Sequence, residues 1–246
     1  MLSLVKVPLI FTTALFYDRS FTAPPSPPVA EEEQKKALKV TDISLTERLI
    51  PPAGFLLKTT YWTMSAAEIA SVLAIQYPSH NLAQHIRTLL SLDSPETNLS
   101  SIGAITPIYL LGSALIITGT LIRFRCFREM GRHFTFRLTL RENHKLVTSG
   151  PYSIVRHPSY TAGMMTVVGS VLTLVGGGSW WRGVGGWNGA GMLPKICAGV
   201  LGVTAAFCVR VYARAAKEDR YLKQEFSEEW EEWAKRVPCK YLPGIY

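Results

Sequence analysis

Two blocks of polar residues sit where long apolar stretches stop, and their types suit one kind of chemistry. The first is His144-Lys145-Leu146-Val147-Thr148-Ser149-Gly150-Pro151-Tyr152, followed by Arg156-His157-Pro158-Ser159-Tyr160. The second is Arg210, Arg214 and Glu218, running through Leu222 and Phe226 to Trp230, Trp233 and Arg236-Val237-Pro238. Charged and hydrogen-bonding groups at the mouth of a membrane bundle fit a site that receives a water-soluble cofactor and an apolar substrate together.

Arg210, Arg214 and Glu218 are spaced four apart, so on a helix they share a face. That spacing has two readings. An exposed Arg214–Glu218 pair, with Arg210 snorkelling, is common and contributes little. The same face can instead line a pocket. Pro158 disfavours the helical conformation at His157 and donates no hydrogen bond. His157 therefore belongs to the turn into the next helix, where its ring can point at a ligand. As isolated residues, His157 and Tyr160 would serve more often as capping or interfacial groups.

The elements that must carry these residues follow from the apolar pattern. The chain has 246 residues, 48% of them hydrophobic, and a net charge of +8; its mean hydropathy is +0.15. The apolar residues are blocked into runs, as in a polytopic membrane protein. The basic excess fits cytoplasmic loops facing anionic headgroups, so no nucleic-acid partner is expected. Cys126, Cys197, Cys208 and Cys239 form no C-x-x-C pair or zinc-ligand spacing. No metal and no disulfide framework is expected, and these thiols read as structural.

An apolar run, Leu2 to Tyr17, reads as a first span in preference to a signal peptide. Ser20 to Pro52 reads as a solvated, Pro-rich and charged linker. The second span runs from Phe55 to Tyr77 and holds an intramembrane acid, Glu68, which is a functional candidate unless it only faces a partner helix. Pro78 to Ser101 reads as a polar loop. The third span, Ile102 to Ile122, carries Gly103, Gly112 and Gly119 for close helix packing and stops at Arg123-Phe124-Arg125. A fourth starts near Tyr160 and ends at Gly176-Gly177-Gly178. A Gly-rich turn with interfacial Trp180, Trp181 and Trp187 follows. The fifth, Leu193 to Val211, meets no Gly or Pro before Ser227 and so should leave the bilayer as one rod.

The expected fold is thus an all-α, polytopic integral membrane bundle of about five transmembrane helices. Its cofactor pocket is formed by the loop before the fourth helix and by the extended C-terminal helix. The chain divides into 1–54 (first apolar segment and linker), 55–123 (second and third spans) and 124–246 (catalytic region). Lys/Arg asymmetry puts the 125–156 loop and the segment after Arg214 in the cytoplasm.

The His144–Tyr160 block and the Arg214–Pro238 tail, in this order, resemble the protein-S-isoprenylcysteine O-methyltransferase family from roughly Leu121 to Tyr246. The shorter Arg-His-Pro-x-Tyr element also recurs in phospholipid N-methyltransferases and sterol reductases. The resemblance implies an endoplasmic-reticulum enzyme that uses S-adenosylmethionine to methylate the α-carboxylate of a C-terminal prenylcysteine. Prenylated proteins and the bilayer would be its partners. By matching positions it implies His144, Lys145, Leu146, Val147, Tyr152, His157, Pro158, Ser159, Tyr160 and Glu218 at the cofactor. It implies Arg214 at the substrate, in the catalytic role. There are departures: Ser227 and Trp230 stand where glycine and tyrosine are usual, and the acid after Glu218 is Asp219.

That chemistry agrees with the residues present. A carboxylate nucleophile is ionised near neutral pH, its reference pKa being about 3.3–3.7, so no general base is needed. The enzyme must align oxygen, methyl and sulfur in a dry site. The alternatives are a phospholipid N-methyltransferase, whose amine nucleophile needs proton removal, a sterol reductase, and a non-enzymatic membrane scaffold that binds prenyl tails.

Overall fold

The computed structural model describes residues 2–22, 45–131 and 145–245. Most of the expected linker, and His144, lie outside the described residues. Among the described residues there are seven α-helices and a short 3₁₀ turn, with no β-strand. They are α1 (Leu2–Ser20), α2 (Leu45–Gln76), α3 (Asn81–Leu89), α4 (Pro107–Met130), α5 (Pro158–Val175), α6 (Trp180–Gly183) and α7 (Met192–Arg236); the turn is Gly150–Ser153.

The long helices alternate in direction. Thr106, at the start of α4, bonds the Gly177 carbonyl beyond the end of α5. Lys6, near the start of α1, bonds the Gly178 carbonyl. At the other end Ser20 meets Thr166 and Lys58 meets Asp18. The α4–α5 contact is the most extensive in the bundle. Its glycines explain why: a Cβ on Gly112 would lie 2.8 Å from the Gly169 carbonyl oxygen, and one on Gly119 only 2.6 Å from that of Ala162. The absence of side chains here lets the two backbones touch.

The outside of the bundle is apolar and its inside carries polar groups. On α1, Val5, Leu9, Phe11 and Leu15 are exposed, whereas Lys6, Thr13 and Ser20 are buried. α4 repeats this with exposed Ile108, Leu111 and Leu121 against buried Thr120 and Arg123. That is the reverse of a water-soluble bundle and suits a lipid-facing exterior. Pro107–Met130 and the stretch Pro158–Gly183 are long and apolar enough to cross a membrane. The count of about five crossings rests on the sequence alone.

Several boundaries differ from the sequence reading. α2 starts at Leu45, inside the expected linker, and contains Pro51 and Pro52 in its second turn, where each removes a backbone hydrogen bond and crowds the preceding turn. The expected polar loop 78–101 contains α3, whose first turn is capped by the His80 ring accepting from the Leu82 N–H. α4 does not stop at Arg123. It runs two turns further to Met130, because the Arg123 side chain is buried, donating to the Ser159 carbonyl at 3.1 Å between the Phe21 and Phe127 rings. Trp180 and Trp181 are buried rather than interfacial, their indole N–H groups donating to the Leu90 and Pro194 carbonyls; Trp187 is exposed. Glu68 pairs with Lys6 at 2.6 Å inside the bundle and accepts from the Trp180 N–H. Facing a partner helix is therefore its place.

α7 does continue past Val211 as one rod, up to a kink at Ser227. Ser227 has φ 42° and ψ −108°, a region where only glycine is unstrained. Beyond it the last turns fold back toward the 145–157 loop, and Lys223 bridges to Glu231 across the bend at 3.0 Å. Such strain costs on the order of 1–3 kcal/mol, part of which glycine returns to the unfolded chain as entropy. Ser227→Gly is therefore expected to stabilise the protein by about 1 kcal/mol. Thermal unfolding in detergent checks this, and a lower midpoint would mean that the serine side chain holds the bend.

Candidate active site

One end of the bundle gathers six segments: the end of α4, the 145–157 loop, the start of α5, the middle of α7, its last turns after the kink, and the tail 237–241. Each arrives for a local reason. Pro158 starts α5 at its first position, leaving His157 at φ −124° and ψ 58°, outside the helix as expected from its proline neighbour. Gly150, at φ 58°, turns the loop so tightly that a Cβ there would strike the Glu129 side chain at 2.8 Å. Glu129 in turn accepts from the Ser149 hydroxyl and pairs with Arg125.

Tyr160 and Glu218 come together: the phenol donates to a Glu218 carboxylate oxygen at 2.7 Å. Arg214 is half-buried one turn earlier on α7, within electrostatic reach of Tyr160. The i, i+4 face read from the sequence is thus turned toward α5, and it is no exposed surface pair.

His157 is buried, with its ring turned into the protein. Its Nε2 lies 2.9 Å from an Asp219 oxygen. The other Asp219 oxygen faces Arg156 at 3.6 Å and Lys240 at 3.8 Å. Burial alone would raise the Asp219 carboxyl; the His157 hydrogen bond and the charges of His157, Arg156 and Lys240 outweigh it and hold the group below the usual carboxylate range. Asp219 is therefore an ionised acceptor at neutral pH.

Tyr152 donates its hydroxyl to the Met130 sulfur at 2.9 Å and offers its carbonyl to the Trp233 indole at 3.1 Å. Burial, with Cys126 and Glu218 nearby, keeps the Tyr152 phenol protonated well above its ordinary range. Leu146 and Val147 pack on the small cluster of Cys126, Tyr152, Trp233 and Val237. Pro158 is buried, Ser159 gives its carbonyl to Arg123, and Lys145 is exposed. Tyr152, His157, Pro158, Ser159, Tyr160, Arg214 and Glu218 thus share one region.

Arg156, Asp219 and the tail carbonyls escape the sequence reading. The Arg156 guanidinium donates to the carbonyls of Val237 and Pro238, its N–H to Cys239, the His157 N–H to Lys240, and the Thr161 hydroxyl to Tyr241. Every carbonyl from Val237 to Tyr241 is so engaged. One signal was available: Asp219 lies four residues after the small Ala215, so a buried stripe adjoins the Arg214–Glu218 face.

These groups suit a sulfonium cofactor bearing an amino-acid head. Among the described residues, no hydrogen bond involves the backbone of 145–148, which leaves peptide donors and acceptors beside the cluster. The Trp230 indole N–H is buried without a partner, with the Arg156 guanidinium 5.9 Å from its ring. Glu218 supplies negative charge. Among the described residues no group of three or more His, Cys, Asp or Glu could hold a metal ion.

Residues 111–178 match the family described as the isoprenylcysteine carboxyl methyltransferase family. The chain is 34% identical over 131 residues to protein-S-isoprenylcysteine O-methyltransferase B of Arabidopsis thaliana, covering 52% of this chain and 55% of that one. It is 28% identical over 133 residues to a probable protein-S-isoprenylcysteine O-methyltransferase of Oryza sativa subsp. indica, covering 52% and 57%. It is also 31% identical over 99 residues to the cobalt-zinc-cadmium resistance protein CzcN of Cupriavidus metallidurans, covering 40% and 36%. The chain spans about half the length of the curated relatives it matches. The segment 111–178 that is similar to the isoprenylcysteine carboxyl methyltransferase family supplies most of α4, the site loop and α5.

Proposed function

We propose that this protein is an S-adenosylmethionine-dependent methyltransferase that esterifies the α-carboxylate of a C-terminal prenylated cysteine. It works in the endoplasmic-reticulum membrane, from the cytoplasmic face of a bundle of about five spans. The observation that carries this reading is the Tyr160–Glu218 hydrogen bond of 2.7 Å, with Arg214 one turn away on the same face of α7. It sets a carboxylate suited to a cationic cofactor beside a guanidinium suited to an anionic acceptor.

Bound there, S-adenosylmethionine would supply an electrophilic methyl group on a positively charged sulfur. The residues that would hold it are Glu218, Tyr160, Tyr152 and the backbone of 145–148, with the Leu146 and Val147 side chains completing the wall. Arg214 holds one oxygen of the acceptor carboxylate in a planar fork and leaves the other to attack. No proton needs to be taken from the nucleophile. Buried Tyr152, Trp233 and Val237 keep water from the site. Attack joins a negative to a positive centre, so low polarity favours it. The prenyl chain runs along the apolar exterior of α4 and α5 or between helices, gaining about 0.8 kcal/mol per buried methylene.

The experiment is methyl transfer from labelled S-adenosylmethionine in membranes containing this protein, with N-acetyl-S-farnesylcysteine and phosphatidylethanolamine as competing acceptors. A base-labile methyl ester on the prenylcysteine is the expected product. Methylated lipid without ester would replace the reading with a phospholipid N-methyltransferase. Glu218→Gln, which keeps an acceptor for Tyr160 and removes the charge, is expected to weaken cofactor binding by about tenfold to a hundredfold. Titration of purified protein with S-adenosylhomocysteine and S-adenosylmethionine measures this, and unchanged affinity for both would take Glu218 out of the pocket.

A further inference from the structure

Asp219 touches three side chains from two pieces of the site: His157 at 2.9 Å and Arg156 at 3.6 Å from the loop, and Lys240 at 3.8 Å from the tail. The surroundings of the imidazole leave little freedom. Tyr160 stands edge-on to it at 5.5 Å between ring centres, and Tyr241 lies at 6.0 Å. The backbone N–H of His157 donates to the Lys240 carbonyl at 2.8 Å. An ionised carboxylate only accepts hydrogen bonds, so the nitrogen facing it must carry a proton.

We infer that Asp219 is a positioning residue for His157: its carboxylate accepts from the Nε2–H and fixes the imidazole edge-on to Tyr160, beside the Tyr160–Glu218 pair of the cofactor pocket. This rests on the reading of the site as a cofactor pocket. A hydrogen bond at one ring nitrogen fixes the orientation of the other.

The same carboxylate ties this selection to the C-terminal tail. Arg156, neutralised by Asp219, spends its guanidinium on the Val237 and Pro238 carbonyls. Loss of the carboxylate would leave a buried arginine without its counter-charge and release the His157 ring. A merely structural Asp219 predicts a less stable protein with an unchanged imidazole, whereas a positioning Asp219 predicts a change at the ring itself.

The test combines a spectroscopic and a binding readout on the full chain in nanodiscs. With five histidines in the sequence, ¹⁵N and ¹³C labelling of histidine gives few signals, and His157→Gln identifies the one of interest. The wild-type ring is expected to carry a proton on Nε2, facing Asp219. Asp219→Asn and Asp219→Ala are expected to shift the ring signal to a mixture of forms and to raise the dissociation constant for S-adenosylhomocysteine by about tenfold. Asp219→Glu, which keeps a carboxylate, is expected to recover most of that loss. A wild-type ring without a proton on Nε2 overturns the inference, as does an unaltered ring signal in Asp219→Asn. Should wild type bind no S-adenosylhomocysteine, the functional reading fails, and the ring signal still decides whether Asp219 sets the form of His157.

Discussion

Arg214→Ala is expected to lower ester formation on N-acetyl-S-farnesylcysteine by at least about a hundredfold while leaving affinity for S-adenosylhomocysteine nearly unchanged. The guanidinium is the cation next to the Tyr160–Glu218 pair on the face of α7 turned toward α5. Pairing a carboxylate with a cation lowers its nucleophilicity, so the benefit must come from alignment. Two N–H donors of the planar guanidinium on one oxygen fix the plane of the carboxylate and aim its free oxygen, and positioning of this kind is worth several orders of magnitude in favourable cases. Arg214→Lys keeps the charge without the fork and should fall between wild type and alanine. Full turnover by folded Arg214→Ala protein would remove the residue from the mechanism. Equal loss of cofactor affinity would instead assign it to the cofactor side.

Trp233→Ala should cost the site both its cofactor affinity and its activity. The side chain is 2% exposed, packs with Cys126, Tyr152 and Val237, and donates to the Tyr152 carbonyl. Truncating a buried tryptophan costs about 3–5 kcal/mol, and here the loss falls on a contact that docks the last turns of α7 onto the 145–152 loop. The Gly112–Gly169 interface between α4 and α5 lies further along the bundle and does not depend on it. The expected result is a folded bundle whose tail is cut readily by protease and which no longer binds S-adenosylhomocysteine. Trp233→Phe retains most of the packing without the N–H, so its deficit measures the hydrogen bond alone. Wild-type binding by Trp233→Ala would show that the docked tail is dispensable for the cofactor.

The helices were legible because apolar runs and i, i+4 spacing are local properties. α5 begins where Pro158 permits, α7 crosses Val211 without interruption, and the small residues of α4 meet α5 as their size requires. Misread stretches were those where a distant partner overrides local polarity. Arg123 marks no helix end because Ser159 and two phenylalanine rings accommodate it. The tryptophans of the Gly-rich turn read as interfacial by type, but carbonyls at Leu90 and Pro194 satisfy their N–H groups within the protein. Glu68 finds its cation on α1 and an N–H at Trp180.

The sequence by itself determined the all-α class, the order of the long helices and the face that joins Arg214 to Glu218, since each follows from hydropathy, proline placement and helical periodicity. Only the tertiary structure decided which neighbour each polar group serves. Glu218 and Asp219 are adjacent carboxylates about 100° apart around α7; one meets Tyr160 and the other His157, 62 residues away in sequence. The kink at Ser227 lies between the rod and the tail whose carbonyls Arg156, His157 and Thr161 engage. Pairings of that kind depend on how the packed helices are rotated against one another, a quantity that no local spacing contains.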